Sequence, residues 1–184
     1  MIAAMRLFLL AILGATSFGP VYADQTDPRL DRLFENLRSG EGDDAQTIVA
    51  EIQAIWSDSQ SDTVDLLSAR ASDAAAAGER DLAASLLDHA IGLSPSFMQA
   101  YALRGSLRLA DGDQPGAIAD FYRAIELEPR QFDVRIALGD LAAAAGDKRA
   151  AYDHFQKALE WNPHEPHARA RAAALRSAIE GSEI

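Results

Sequence analysis

The residues with the clearest potential for chemistry lie near the carboxyl end of the chain, in the run His164-Glu165-Pro166-His167. Imidazole and carboxylate groups are common metal ligands, and this run places a carboxylate between two imidazoles. A zinc-binding helix places two histidines four residues apart on one face, and Pro166 prevents that regular spacing here. We therefore predict no metal ion and no cofactor. A small enzyme or metal carrier built on the histidines stays open as an alternative.

The other chemical signals in the sequence are weak. His89 and His154 are isolated within helical patterns, and we interpret them as packing or surface residues. The sequence has no cysteine, which excludes disulfides, thiolate metal sites and cysteine nucleophiles. It has neither a G-x-S-x-G serine motif nor a glycine-rich loop with a lysine placed to meet a phosphate. These observations favour a protein that is not an enzyme.

The charge of the chain narrows the class of partner. Its 184 residues include 28 Asp and Glu but only 17 Lys and Arg, so the formal net charge is -11. Because proteins bind nucleic acids through clustered cations, we expect no nucleic-acid partner. Hydrophobic residues make up 48% of the chain and charged residues 24%, as is typical of a globular protein of about one domain.

The amino-terminal segment has the pattern of an export signal. A single cation, Arg6, precedes an apolar run over 7–15, Pro20 then interrupts any helix, and Ala23 completes a cleavage-type sequence. The apolar run is shorter than the roughly 20 residues that span a bilayer. We predict a cleaved signal peptide at 1–23 and a periplasmic location, with no stable membrane insertion after cleavage. An uncleaved anchor is the alternative.

Four columns of residues recur along the chain at intervals of 34, which divides it into the repeats 64–97, 98–131 and 132–165. The columns are Gly78, Gly112 and Gly146; Pro95, Pro129 and Pro163; Ala83, Ala117 and Ala151; and Ala90, Ala124 and Ala158. Glycine suits the left-handed position after a helix, alanine permits close helix contact, and proline ends the second helix. A further column of Leu87, Phe121 and Phe155 shares a helix face with the alanines. Each unit is therefore predicted to be two antiparallel helices.

These columns resemble the tetratricopeptide repeat. In the second and third repeats the residues at the family's positions are Tyr101, Gly105, Gly112, Asp113, Ala117, Phe121, Ala124 and Pro129, then Leu138, Gly139, Gly146, Asp147, Ala151, Phe155, Ala158 and Pro163. The departures from the family pattern are Leu67, Ala71 and Leu87 in the first repeat, Arg108 in the second, and Arg135 and Ala142 in the third. The resemblance implies an all-α fold, a right-handed superhelical solenoid of helix pairs that recognises other proteins.

The segments on either side of the repeats are also predicted to be helical. In 24–63, apolar residues at helical spacing indicate a helical hairpin without the repeat columns, which we interpret as a degenerate repeat. The apolar residues of its two helices are Leu30, Leu33, Phe34 and Leu37, then Ile48, Ile52, Ile55 and Trp56. In 166–184, Pro166 begins a last helix that we expect to cap the stack, followed by a frayed tail.

The resemblance also implies where a partner binds, because the first helices of successive repeats line a concave groove in this family. The residues at the groove positions are Asp65, Ser68, Ser72 and Ala75; Gln99, Ala102, Ser106 and Leu109; and Asp133, Ile136, Asp140 and Ala143. The lysine and asparagine set with which some family members clamp a terminal carboxylate is absent from these positions. The face is small, mildly apolar and acidic, so it suits a helix or extended peptide with apolar anchors and basic flanks. The alternative interpretation, of equal weight, is that these positions are small only because curvature crowds them.

We therefore expect a non-enzymatic adaptor or assembly factor that binds a protein or peptide in this groove. The amino-terminal segment 24–61, with nine acidic residues against three arginines, is a second possible binding region. A self-associating structural protein is the alternative function. The sequence leaves the identity of the partner and the oligomeric state open.

Overall fold

The computed structural model describes residues 24–40 and 42–181, which form helices and connecting turns with no strand in either range. A short 3₁₀ helix over Asp24–Thr26 comes first. The nine α-helices within these ranges are α1 (Arg29–Ser39), α2 (Gly42–Trp56), α3 (Asp62–Ala76), α4 (Arg80–Leu93), α5 (Met98–Ala110), α6 (Gln114–Leu127), α7 (Phe132–Ala144), α8 (Lys148–Trp161) and α9 (Pro166–Glu180). The prediction of an all-α fold is confirmed. The predicted signal peptide lies outside the described residues.

The three repeats are the helix pairs α3–α4, α5–α6 and α7–α8, and each first helix ends two residues before a glycine of the repeat column. Gly78, Gly112 and Gly146 have φ angles of 80°, 82° and 83°, in the left-handed region that favours glycine. The amide after each glycine donates to the carbonyl five residues earlier, as Glu79 does to Ala74 at 2.8 Å. This bond completes a Schellman motif, which ends the first helix and turns the chain into the second.

The alanine columns lie where the helices approach most closely. All six of these alanines, which are Ala83, Ala117, Ala151, Ala90, Ala124 and Ala158, have 0% of their surface exposed. Phe121 and Phe155, on the same helix faces, are buried as well. The close approach leaves no room for larger side chains, so the pattern of small and aromatic residues sets the spacing of the helix pairs.

The amino-terminal hairpin α1–α2 packs elsewhere than a stacked repeat would. The core of the first repeat, around Val64, Ala71 and Leu87, contains no residue of the hairpin. The apolar side chains of α1 and α2 instead join the core of the second and third repeats and α9. A helical hairpin is present as the sequence indicates, but it does not cover the open end of the repeat 64–97.

Four aromatic rings fix the hairpin against the third repeat. The ring of Phe34 in α1 lies 5.8 Å from Trp56 in α2, 6.4 Å from Phe132 in α7 and 5.5 Å from Trp161 in α8, as measured between ring centroids. Trp56 also lies 5.4 Å from Phe132. Buried aromatic contacts of this kind are among the strongest packing interactions in a small core, so the hairpin is an integral part of the fold.

Polar contacts reinforce the same placement. Arg130, in the turn between α6 and α7, donates to Asp31 of α1 at 2.8 Å and to the carbonyl oxygen of Gln25 at 3.0 Å. Its guanidinium lies 5.0 Å from the centroid of the Phe34 ring and is also bonded to the buried carboxylate of Glu128. A single arginine thus connects the turn between two repeats with the start of the hairpin.

Helix α9 packs against α8 at the opposite end of the stack. Ala168 and Ala172 are buried in this contact, and the N-terminal turn is capped by the carboxylate of Glu165, which accepts from the Ala168 amide at 2.5 Å. None of the helices in the described part of the chain combines the length and the apolar character needed to cross a bilayer.

Candidate functional site

The first helices α3, α5 and α7 carry the residues predicted to line the groove, and helix α2 lies against the side they form. Between α2, α5 and α7 lies a cavity of about 370 Å³ that is open to solvent on one side. Four of the predicted groove residues line it: Gln99, Ala102 and Ser106 on α5, and Asp133 on α7. The structure therefore brings together the central part of the predicted groove, at the junction of the second and third repeats.

The rest of the cavity wall consists of residues that the repeat pattern did not predict. From α2 come Gln53, Trp56 and Ser57, and the remaining lining residues are Leu103, Phe121, Gln131, Val134 and Ala137. Leu103 and Ala137 lie four residues after the groove positions Gln99 and Asp133, on the same helix faces, so the helical period contained a signal for them. The contribution of α2 had no such signal, because nothing in the repeat register places the hairpin in the groove.

Predicted groove residues of the first repeat lie outside this cavity. The carboxylate of Asp65 accepts from the backbone amide of Ser59 at 2.8 Å, and so it anchors the linker between α2 and α3. Ser68 is buried, and the hydroxyl of Ser72 donates to the Ser68 carbonyl at 3.1 Å. Asp65 and Ser68 thus take part in hydrogen bonds within α3 and with the linker before it, away from the cavity.

Three further predicted residues also lie away from the cavity. Leu109 and Ile136 are half-buried and pack against the main core. The carboxylate of Asp140 accepts from His167 at 2.9 Å and lies 3.5 Å from the guanidinium of Arg171, both on α9. Asp140 therefore attaches the last helix to the third repeat.

Asp133 has a different environment from the other groove carboxylates. Its side chain accepts from the Gln53 amide of α2 at 3.2 Å, and no ion pair joins it to a cation in the described part of the chain. Asp133 is an exposed residue, but the protein around its carboxylate removes enough hydration to raise the pKa of Asp133, and the charge of Glu165 adds to this rise. The cavity thus contains a carboxylate whose charge is poorly compensated.

A second hollow of about 540 Å³ lies on the other side of α2. Gln53 of α2 and Asp133 of α7 line both hollows, so α2 crosses the groove over the start of α7. The far wall of the second hollow includes His164, Glu165 and Arg169 from the turn before α9 and from α9 itself. Helix α2 therefore divides what would be an open groove into two smaller spaces.

Each histidine has a specific contact in the structure. The ring of His89 lies 2.6 Å from the Ser85 carbonyl oxygen, and that of His164 lies 3.0 Å from the Leu37 carbonyl oxygen at the end of α1. Burial lowers the pKa of His154, and the positive charge of Arg135 lowers it further. Over residues 24–40 and 42–181, no three histidine or acidic side chains are grouped as metal ligands would be.

Comparison with known proteins agrees with the helical register. Residues 132–165 match the family model of the tetratricopeptide repeat. A TPR repeat-containing protein of Rhizobium etli is 34% identical over 93 residues, which are 50% of this chain and 46% of that protein. The match therefore spans about half the length of this curated relative.

Solved structures share the fold at low sequence identity. The first TPR of Spaghetti (RPAP3), bound to the HSP90 peptide SRMEEVD, has a TM-score of 0.59 and 16% identity, covering 64% of this chain and 94% of that one. The Yersinia enterocolitica type III secretion chaperone SycD, in complex with a peptide of the translocator YopD, has a TM-score of 0.58 and 17% identity, covering 67% and 97%. Residues 132–165 therefore form a tetratricopeptide repeat, and the chain shares the helical fold of these tetratricopeptide-repeat domains.

Proposed function

We propose that this chain is a non-enzymatic periplasmic interaction module that binds a segment of another protein at the cavity between α2, α5 and α7. The observation that carries the proposal is the cavity itself, which lies on the groove side of the repeats. Its wall combines small residues such as Ala102 and Ala137 with the side-chain amides of Gln53, Gln99 and Gln131. A concave wall with a few polar groups among small apolar ones suits the side chains of a bound peptide.

The size of the cavity limits the form of the partner. Helix α2 already crosses the groove, and the free space of about 370 Å³ accommodates a few side chains rather than a second helix. We therefore infer that the partner is a short extended segment whose side chains enter the cavity. The similar domains of Spaghetti and SycD were solved with bound peptides, which supports a peptide as the class of ligand.

Direct binding to a displayed library of random twelve-residue peptides tests the proposal. The purified chain is the bait, and selected peptides are then synthesised and titrated. We expect Ser106→Arg to abolish their binding, because an arginine at 106 projects from the cavity wall. Ser72→Arg is the matched control, since Ser72 is an exposed serine on α3 outside the cavity. Peptides that bind the two variants equally would show that the cavity is not the site.

The periplasmic location depends on residues 1–23, whose sequence has the features of an export signal. We expect the full chain, expressed in a Gram-negative host, to appear in the periplasmic fraction with Asp24 as its first residue. Fractionation followed by amino-terminal sequencing measures both. A chain that keeps Met1 and stays in the cytoplasm would contradict the proposal without affecting peptide binding.

Self-association is a second candidate, and one observation favours it. Because the hairpin packs in the groove, the outer face of α3 and α4 is left with exposed leucines, Leu66 at 54% and Leu82 at 49%. Terminal repeats of solenoids usually carry a polar outer face. Light scattering of the purified chain against the variant Leu82→Glu tests this function. A dimer that the substitution dissociates supports it, and a monomer at all concentrations rejects it.

A further inference from the structure

We infer that the cavity is a receptor for a cationic side chain, a lysine or arginine of the partner, which binds the carboxylate of Asp133. The inference rests on the proposed function and names the chemistry of its ligand. Its starting point is that the three predicted groove carboxylates in the described part of the chain have different hydrogen-bond and ion-pair partners. Asp65 accepts a backbone amide, and Asp140 is paired with His167 and Arg171.

Asp133 receives only a neutral donor from the chain, the Gln53 amide at 3.2 Å. The charged residue that acts on it most, Glu165, is of the same sign. A carboxylate in partly desolvated surroundings is stabilised strongly by a cation that forms a hydrogen bond with it. We infer that the cation comes from a partner, because the nearby arginines are bonded to other groups: Arg135 and Arg169 donate to the backbone carbonyl oxygens of Pro129 and Pro163. Arg130 is bonded to Asp31 and Glu128 instead.

The remainder of the cavity wall suits the aliphatic stem of such a side chain. Ala102, Leu103, Val134 and Ala137 provide apolar surface, and Trp56 contributes its indole ring. Lysine and arginine bury their methylene stems along apolar walls while the charged group reaches a polar partner.

The polarity of this site is opposite to that implied by the acidic HSP90 peptide bound by the Spaghetti domain. The groove positions here carry Asp65, Asp133 and Asp140, and the whole chain has a net charge of -11. Such a field attracts basic segments and repels acidic ones, and its effect decreases as salt is added.

The first test uses small probes and the full chain. Binding of N-acetyl-arginine amide and N-acetyl-lysine amide is followed through the NMR signals of the side-chain amides of Gln53, Gln99 and Gln131. The neutral analogues N-acetyl-citrulline amide and N-acetyl-norleucine amide are the matched probes. We expect the cationic probes to shift these signals and the neutral ones to bind about tenfold more weakly or not at all.

The variant Asp133→Asn removes the charge and keeps an oxygen that can accept from Gln53. We expect it to weaken binding of the cationic probes about tenfold, while Asp73→Asn, an exposed acidic residue of α3 outside the cavity, leaves binding unchanged. Circular dichroism of both variants shows whether the fold is kept. Equal binding of arginine and citrulline amides, or unchanged binding by Asp133→Asn, would overturn the inference.

The peptide selection separates this inference from the proposed function. Selected peptides should be rich in lysine or arginine with the wild-type chain and lose that enrichment with Asp133→Asn. Peptides that depend on Ser106 but show no preference for cations would leave the proposed function in place and reject the cationic site. If the cationic amides bind and no peptide does, the cationic site stands and the proposed binding of a peptide segment is rejected.

Discussion

Gly105 on α5 faces Phe121 on α6 at one of the closest helix contacts in the fold. A Cβ atom at position 105 would lie 2.6 Å from Cε1 of Phe121 and 3.3 Å from the carbonyl oxygen of Ala117. The Phe121 ring is 1% exposed and cannot turn away, so Gly105→Ala forces the two helices apart. Overpacking of this kind costs about 1–3 kcal/mol, partly offset by the roughly 0.5–1 kcal/mol that alanine gains over glycine within a helix. We expect a net loss of about 1–2 kcal/mol of unfolding free energy.

The first repeat suggests how to repair this variant. There the equivalent pair is Ala71 opposite Leu87, and both side chains are buried. A leucine is shorter than a phenylalanine, so the first repeat accepts a Cβ atom where the second does not. The double variant Gly105→Ala/Phe121→Leu copies this pair, and we expect it to lose at least about 1 kcal/mol less than the sum of the two single variants.

Urea and thermal unfolding of the purified chain, followed by circular dichroism at 222 nm, measure these effects. For a chain of this size, a loss of about 1–2 kcal/mol corresponds to a decrease of roughly 2–8 °C in Tm. Gly92→Ala is the matched control, because Gly92 lies in α4 and a Cβ atom there would meet nothing within 4 Å. We expect Gly92→Ala to stabilise the chain by about 0.5–1 kcal/mol. If Gly105→Ala stabilised the chain as much as Gly92→Ala, the helix contact described here would be wrong.

Three further predictions concern the hairpin, a buried ion pair and the groove carboxylate. Trp56→Ala should cost about 3–5 kcal/mol, as large aromatic truncations do, and should speed proteolytic cleavage in the linker after α2; an unchanged cleavage rate would place the hairpin outside the core. Asp120→Ala should cost about 2–3 kcal/mol in urea unfolding, because the buried Asp120 accepts from Arg104 and Arg108, whereas Asp88→Ala, at an exposed partner of Arg104, should cost under about 0.5 kcal/mol. Asp133→Asn should raise Tm at pH 7, because the pKa of Asp133 is raised in the folded chain. The stability that the protonated carboxyl group contributes is full below the unfolded-state pKa and is lost as the pH rises through the folded-state pKa. The difference in Tm between the two chains should therefore vanish below about pH 4.

The repeat region was predictable because its determinants are local in the sequence. The three glycines have positive φ angles at a spacing of 34, and the alanines of both columns are fully buried. A positive φ angle requires glycine at one position, and close helix packing requires alanine at another, so each structural requirement selects one residue type. The periodicity of the single sequence therefore predicted the helix pairs, their turns and most of their core residues.

One departure from the family pattern, Arg108, is explained by a partner that the sequence does not identify. Arg108 stands at the position usual for a tyrosine, and the structure shows its guanidinium 2.8 Å from the buried carboxylate of Asp120. Arg104 forms two more bonds to the same carboxylate, which raise the pKa of Arg104. The second repeat thus uses an ion pair between its two helices, where buried charge is acceptable because it is paired.

The position of the hairpin was not predictable from the same kind of pattern. The apolar faces of α1 and α2 show that each helix is half-buried, but amphipathicity does not say against which surface. The outcome depends on the shape of the groove, where Phe34 and Trp56 reach Phe132 and Trp161 across about one hundred residues of chain. Contacts between such distant positions leave no periodic trace in a single sequence.

Contacts between distant positions also explain why the predicted groove residues have different partners in the structure. The resemblance to the tetratricopeptide repeat places Asp65, Asp133 and Asp140 on the same groove face of the first helices. In the structure, elements outside the repeats determine what each one does: the linker after α2 occupies the first, and α9 occupies the third. Of the three, only Asp133 has the side-chain amide of a glutamine, Gln53, as the hydrogen-bond partner of its carboxylate. The flanking helices therefore give three acidic residues of one predicted face three different environments, and the cationic receptor that we propose at Asp133 rests on that difference.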